Sequence, residues 1–113
     1  MVGFIFCARK RLMEMEQVKS NEDQVRAKVL LDGRVQNVGL RYHTQEEATK
    51  LGLTGFVRNL TDGRVEVIFE GPADKVEGLL DWFQEGSLQA RIDTIALRYE
   101  EPEGRFPDFS VKV

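Results

Sequence analysis

Gly33-Arg-Val-Gln-Asn-Val-Gly-Leu-Arg41 joins an alternating strand pattern to the apolar periodicity of a helix. Gly and Asn tolerate positive φ angles better than other residues, so this polar loop can turn tightly. Successive backbone N–H groups in such a turn form a small concave site for an anion. The first amides of the following helix point their positive dipole end into the same space. The stretch therefore indicates an anion-binding loop.

Arg41 strengthens this interpretation because its guanidinium matches two phosphate oxygens in a planar fork. Loop, helix start and arginine together suggest a phosphate site. A tight turn followed by a surface arginine would show the same residues, and on the loop alone the two interpretations are equally good. A second segment is needed to decide between them.

The second segment is Gly55-Phe-Val-Arg-Asn-Leu-Thr-Asp-Gly-Arg-Val-Glu-Val-Ile-Phe-Glu-Gly71. Its Asp62-Gly63 pair between two alternating runs is a strong hairpin signal. Asn59 lies near the end of the first strand, and its amide carries both donor and acceptor groups that can orient a water molecule. Taken alone, an Asn before a turn more commonly bonds the local backbone.

Together the two segments resemble the acylphosphatase family, and the resemblance covers about residues 23–113. The family's first motif is roughly Gly-x-Val-Gln-Gly-Val-x-Phe-Arg, matched here by Gly33, Val35, Gln36, Val38 and Arg41. Asn37 stands in the second glycine position and Leu40 in the aromatic position. The second motif is complete, with Gly55, Phe56, Val57, Asn59, Gly63, Val65 and Gly71. Two separated motifs in the right order are more specific than either motif alone.

Hydrophobic periodicity predicts the order of the elements. The predicted strands are 25–31, 53–60, 64–70 and 92–99, and Phe109, Val111 and Val113 suggest a short closing strand. The predicted helices are 41–51 and 73–85. This βαββαβ order with an extra strand indicates an α+β, ferredoxin-like sandwich, with two helices on one face of an antiparallel sheet. The family resemblance implies the same fold.

Composition bounds the function. The 113 residues carry a net charge of −3, which disfavours non-specific nucleic-acid binding. The only cysteine is Cys7, so no intrachain disulfide can form, and with a single histidine there is no recognisable zinc-ligand set. We expect no metal and no cofactor.

Residues 1–22 are interpreted as a disordered N-terminal tail before a domain at 23–113. The apolar run 1–8 precedes the basic Arg9-Lys-Arg11, which is the reverse of the order in a secretory signal. It is also too short to span a bilayer. We therefore expect a cytoplasmic protein with no membrane association.

The resemblance implies hydrolysis of acyl phosphates to a carboxylate and inorganic phosphate by in-line attack of water. It implies that Arg41 and Asn59 are catalytic, with Asn59 orienting the water. The phosphate-binding residues are then Gln36, Asn37, Val38, Gly39, Leu40 and Arg41, mainly through backbone amides. A carboxylate is a good leaving group, so positioning and charge stabilisation are the main catalytic requirements.

Alternative functions remain open at this point. The first is a non-catalytic ferredoxin-like module that binds an anion for regulation. The second is the acylphosphatase-like segment of a hydrogenase-maturation carbamoyltransferase, a much larger protein with zinc motifs. An RNA-binding module would place stacking aromatics on its third strand, and 64–69 does not match that pattern. We expect a monomer whose partners are a small acyl phosphate and inorganic phosphate.

Overall fold

A computed structural model describes residues 23–36, 39–85 and 91–112, and the backbone of 4–5. The strands are β1 Phe4–Ile5, β2 Gln24–Arg34, β3 Thr54–Asn59, β4 Val65–Pro72, β5 Arg91–Glu100 and β6 Phe109–Lys112. The helices are α1 Leu40–Lys50 and α2 Ala73–Gln84. The predicted order of elements is confirmed, although Val113 lies outside the described residues.

The strands form one sheet in the order β1-β5-β2-β4-β3-β6. All neighbouring pairs are antiparallel except the last, because β6 runs parallel to β3. The predicted antiparallel ferredoxin-like sheet and its extra C-terminal strand are therefore both confirmed, and the extra strand joins the edge in the parallel direction. The reason is the connection: the chain leaves β5, crosses the sheet and enters β6 where Phe109 pairs with Gly55, at the start of β3.

A two-residue strand precedes the predicted domain. Phe4 pairs with Leu97 and Ile5 with Ala96, so β1 lies on the outer edge of β5. Both residues belong to the segment 1–22 that is predicted to be a tail. The remainder of that tail, including Cys7, lies outside the described residues. Among the described residues no helix is long and apolar enough to cross a membrane.

Both helices pack on the same face of the sheet. The apolar stripe of α2 is fully buried there, and it shares one core with the alternating apolar residues of β2. The buried stripe residues are Val76, Leu79, Leu80 and Phe83. Trp82 is partly buried against the same core. The helices therefore cover only one face of the sheet.

Strand β2 is longer than predicted, so the loop between β2 and α1 is shorter than predicted. It continues through Arg34, and its pairing with β5 shifts register between Asp32 and Gly33. Gly33 has a φ of 135°, and a Cβ there would collide with the backbone carbonyl of Arg91. This glycine is therefore required by a bulged strand, and its assignment to the anion-binding loop is wrong.

The other face of the sheet is covered by the connection 101–108. Strand β4 is buried on both sides, and the outward side chains of Glu66 and Glu70 are only 6% and 5% exposed. The Glu70 carboxylate accepts the backbone N–H groups of Glu103 at 2.9 Å and Gly104 at 3.0 Å. It also accepts a bond from Nη1 of Arg26 at 3.1 Å. Glu70 thus fastens the crossing connection to the middle of the sheet.

These donors set the ionisation of Glu70. Burial by itself would raise the pKa of the carboxyl, but the two backbone N–H groups and Arg26 outweigh it and hold the pKa below its ordinary value. A group whose pKa is lower in the folded state stabilises the fold above its unfolded pKa, which is about 4.3 for glutamate. That contribution is lost as the pH falls through the folded-state pKa.

We expect Glu70→Gln to lower the free energy of unfolding by about 2 kcal/mol at pH 7, since it removes a buried, charge-assisted acceptor. Urea unfolding at pH 7, 5 and 3 measures this. The difference between parent and variant should begin to shrink as the pH falls below about 4.3, the pKa of an unfolded glutamate, and should go on shrinking through the lower pKa of folded Glu70. Glu101→Gln, at an exposed position of the same connection, is the control. A difference that stays constant from pH 7 to pH 3 would contradict the assignment.

Candidate active site

A cavity of about 150 Å³ lies between the start of α1 and the end of β3. Its described lining residues are Val35, Gly39, Leu40, Arg41, Tyr42 and Asn59. The two residues predicted to be catalytic thus lie at one small site, although they belong to different elements. Tyr42 and Val35 were not among the predicted site residues.

The start of α1 at this cavity is not capped by a side chain. Gly39 is the N-cap residue, with φ 77° in the left-handed region that glycine adopts without strain. Among the described residues no side chain caps the first turn, and no acidic residue lies in it. Amides at a helix start have no partner within the helix, and they carry the positive end of its dipole. Since Gly39, Leu40 and Arg41 line the cavity, this helix end is available to an anion.

Arg41 is held in place by a backbone carbonyl. Its Nη1 donates to the carbonyl of Lys112 at 3.0 Å, and within the described part of the chain it has no carboxylate partner. Six other arginines each form an ion pair with a carboxylate: Arg26, Arg58, Arg64, Arg91, Arg98 and Arg105. A guanidinium has five N–H donors, so Arg41 is oriented by one bond while its positive charge stays uncompensated.

Gln45 makes a second bond from α1 to the same strand. It lies one turn after Arg41, and its Nε2 donates to the carbonyl of Phe109 at 3.1 Å. The two side chains therefore join α1 to both ends of β6. Strand β6 was not predicted to be part of the site, because backbone carbonyls carry no residue signature.

Asn59 presents a buried acceptor without a partner. Its Oδ1 is inaccessible to solvent and has no hydrogen-bond partner among the described residues. A buried acceptor left unpaired costs about 1–3 kcal/mol. Because Asn59 also lines the cavity, a rotation of its amide that exposes Oδ1 to the cavity would let this atom bond a molecule there.

The side chain of Gln36 bonds the backbone of the β3–β4 hairpin, which is compatible with the predicted phosphate contact through its backbone N–H. Its side-chain amide donates to the carbonyls of Leu60 at 2.8 Å and Arg64 at 2.9 Å. These bonds tie the loop to the β3–β4 hairpin, so the side chain is already occupied. Asn37 and Val38, the next two predicted ligands, lie outside the described residues.

Leu40, another predicted phosphate ligand, can contact a ligand only through its backbone. Leu40 is 2% exposed because its side chain packs into the core, which leaves its backbone for a ligand.

Two further arginines near the site are paired with carboxylates. Arg58 pairs with Glu66 at 2.6 Å and Arg64 with Asp62 at 2.7 Å. Neither of these two arginines lines the cavity. Within the described ranges no group of three His, Cys, Asp or Glu residues could hold a metal ion.

The acylphosphatase family model matches residues 27–111. The chain belongs to the acylphosphatase family. An acylphosphatase from Nostoc sp. is 54% identical over 80 residues, which are 71% of this chain and 79% of that protein. The crystal structure of acylphosphatase from Bacillus subtilis matches with a TM-score of 0.75 at 34% identity, covering 79% of this chain and 99% of that one. Full-length HypF, in a phosphate- and nucleotide-bound structure, shares the fold at a TM-score of 0.72 and 23% identity, but this chain covers only 12% of it.

Gln36→Ala tests the link between the loop and the hairpin. It removes two hydrogen bonds, and we expect it to lower the free energy of unfolding by about 1–3 kcal/mol. The variant should also bind inorganic phosphate more weakly, because the loop is no longer fastened. Urea unfolding and a calorimetric phosphate titration measure the two effects. Gln24→Ala, an exposed glutamine of β2, should change neither quantity, and equal behaviour of the two variants would show that the Gln36 bonds are unimportant.

Proposed function

We propose that this protein hydrolyses acyl phosphates, releasing a carboxylate and inorganic phosphate. Membership of the acylphosphatase family supports this activity. The observation that carries the proposal is that Arg41 and Asn59 line one small cavity at the uncapped start of α1. A non-catalytic anion-binding module is not favoured, because anion binding alone gives no role to the unpaired Oδ1 of Asn59.

The phosphoryl group binds at the start of α1. The backbone N–H groups of Gly39, Leu40 and Arg41 and the Arg41 guanidinium donate to its oxygens, and the loop amides of Gln36, Asn37 and Val38 complete the site. Donors that are already in position stabilise charge on these oxygens during transfer without reorganising. The bond from Arg41 to Lys112 is one source of that fixed geometry.

Asn59 positions the attacking water. Once its amide rotates toward the cavity, Oδ1 accepts a hydrogen bond from the water, which directs a lone pair of the water oxygen at phosphorus, opposite the leaving group. The new P–O bond forms as the bond to the acyl oxygen breaks, and the electron pair leaves with the carboxylate. The proton of the water passes to a phosphate oxygen. Because a carboxylate leaves as a stable anion, the step requires no protein acid.

The proposal also covers the oligomeric state, location and binding partners of the enzyme. It acts as a monomer in the cytoplasm through the domain 23–113, with a small acyl phosphate as its substrate. It binds no nucleic acid, which the net charge of −3 supports.

The proposed function is tested by comparing benzoyl phosphate with phenyl phosphate as substrates. We expect hydrolysis of the acyl phosphate and no measurable hydrolysis of the monoester, whose leaving group needs an acid. Within this assay, Arg41→Lys keeps the charge but loses the planar fork. It should lower kcat/KM by about 100-fold, in the range seen for loss of one stabilising donor. Arg34→Lys, an exposed arginine that does not line the cavity, is the control. Near-normal hydrolysis by Arg41→Lys would show that the Arg41 guanidinium is not needed for catalysis. A parent that cleaves neither substrate would refute the proposed activity.

Asn59→Ala separates water orientation from phosphate binding. If Asn59 orients the water, kcat for benzoyl phosphate should fall by about 100-fold. The inhibition constant of inorganic phosphate should change by less than about threefold, because the donors to phosphate are elsewhere. Steady-state kinetics with phosphate as inhibitor gives both numbers. Parallel loss of turnover and of phosphate inhibition would make Asn59 a phosphate ligand instead.

A further inference from the structure

The cavity is too small for a whole acyl phosphate. A cavity of about 150 Å³ is the size that holds a benzene molecule, which has about six non-hydrogen atoms. A phosphoryl group with its four oxygens and one attacking water already amounts to about that number. If the proposed function holds, as this inference requires, the acyl group must extend out of the cavity past its mouth.

Tyr42 lies where the acyl group would emerge. It lines the cavity, and with 61% of its surface exposed it is the only exposed large hydrophobic residue among the described residues. The guanidinium carbon of Arg41 lies 5.7 Å from the centroid of the Tyr42 ring. A phosphate bonded to Arg41 therefore places its acyl substituent within reach of the ring.

The rest of α1 does not share this apolar character. The other exposed positions of the helix are polar or charged, as at Glu46, Thr49 and Lys50. A single exposed aromatic residue is ordinary on a protein surface, but Tyr42 lines the same cavity as Arg41 and Asn59. Its ring offers the flat apolar surface on which another flat group stacks well.

From this geometry we propose that Tyr42 binds the acyl group and that the preferred substrates carry an aromatic acyl group. The ring contributes to substrate binding and takes no part in the transfer of the phosphoryl group. Arg41 is the only cation among the described residues that line the cavity, and phosphate uses it. An acyl group bearing a second anion has no further cation there to bind it.

The test compares benzoyl phosphate with acetyl phosphate, which share the phosphate but differ in the acyl group. Tyr42→Ala should lower kcat/KM for benzoyl phosphate by about tenfold, the upper range for loss of an aromatic pair. For acetyl phosphate the change should stay below about twofold, and inhibition by inorganic phosphate should be unchanged. Tyr42→Phe, which retains the ring, should behave as the parent. Thr49→Ala, at the far end of α1, is the control for substitution on this helix.

Other outcomes overturn the proposal in distinguishable ways. Equal loss for both substrates, with weaker phosphate inhibition, would mean that Tyr42 only orients Arg41. No change for either substrate would mean that the acyl group does not touch the ring. If the parent hydrolyses neither substrate, the proposed function fails and this inference fails with it, whereas hydrolysis with an unchanged substrate ratio refutes the role of Tyr42 alone.

Discussion

The hydrogen bond from the Arg41 guanidinium to the Lys112 carbonyl is the contact on which the arrangement of the site depends. An arginine side chain is long and flexible, and ordering it on substrate binding would cost conformational entropy. Here one bond of 3.0 Å holds the head group beforehand. Because Arg41 has no carboxylate partner among the described residues, this neutral carbonyl orients the guanidinium without compensating its charge. An anion entering the cavity then meets a charge that is already in position.

That bond requires β6 to lie beside β3. The connection 101–108 brings β6 there because it crosses the face of the sheet opposite the helices. The connection 101–108 must cross β2, β4 and β3 to reach the far edge. The Glu70 carboxylate binds two backbone N–H groups of the connection, and Phe106 packs edge-on against Phe56 at a centroid distance of 5.9 Å. The crossing therefore delivers the chain to β3 in a parallel register, which places Lys112 opposite Arg58 and within reach of α1. Buried charge on one face of the sheet thus supports the site on the other side of the fold.

The sequence predicted the elements well where the periodicity was local. The apolar stripe of α2, the hairpin around Asp62-Gly63 and the alternation in β2 each depend on a few neighbouring residues. Arg41 and Asn59 were predicted as a pair because two motifs resembled one family, and the structure places both at one cavity.

What the sequence did not predict depends on contacts between distant segments or on backbone groups. The parallel pairing of β6 depends on the path of an irregular connection, and the Lys112 and Phe109 carbonyls have no residue signature. Gly33 was assigned to the loop because a glycine required by a bulge and one required by a turn look the same in sequence. The side chain of Gln36 was assigned no structural role, because its acceptors are the carbonyls of a hairpin more than twenty residues away. Tyr42 was not predicted, because an exposed aromatic on a helix has no meaning until its neighbours are known.

A crystal structure with bound inorganic phosphate tests the central claim most directly. The account predicts phosphate in the cavity, with oxygens about 3 Å from the Arg41 guanidinium and from the backbone nitrogens of Gly39, Leu40 and Arg41. It also predicts that the bond from Arg41 to the Lys112 carbonyl remains in the complex. Phosphate bound away from the start of α1, or an Arg41 side chain that must leave Lys112 to reach it, would contradict the account.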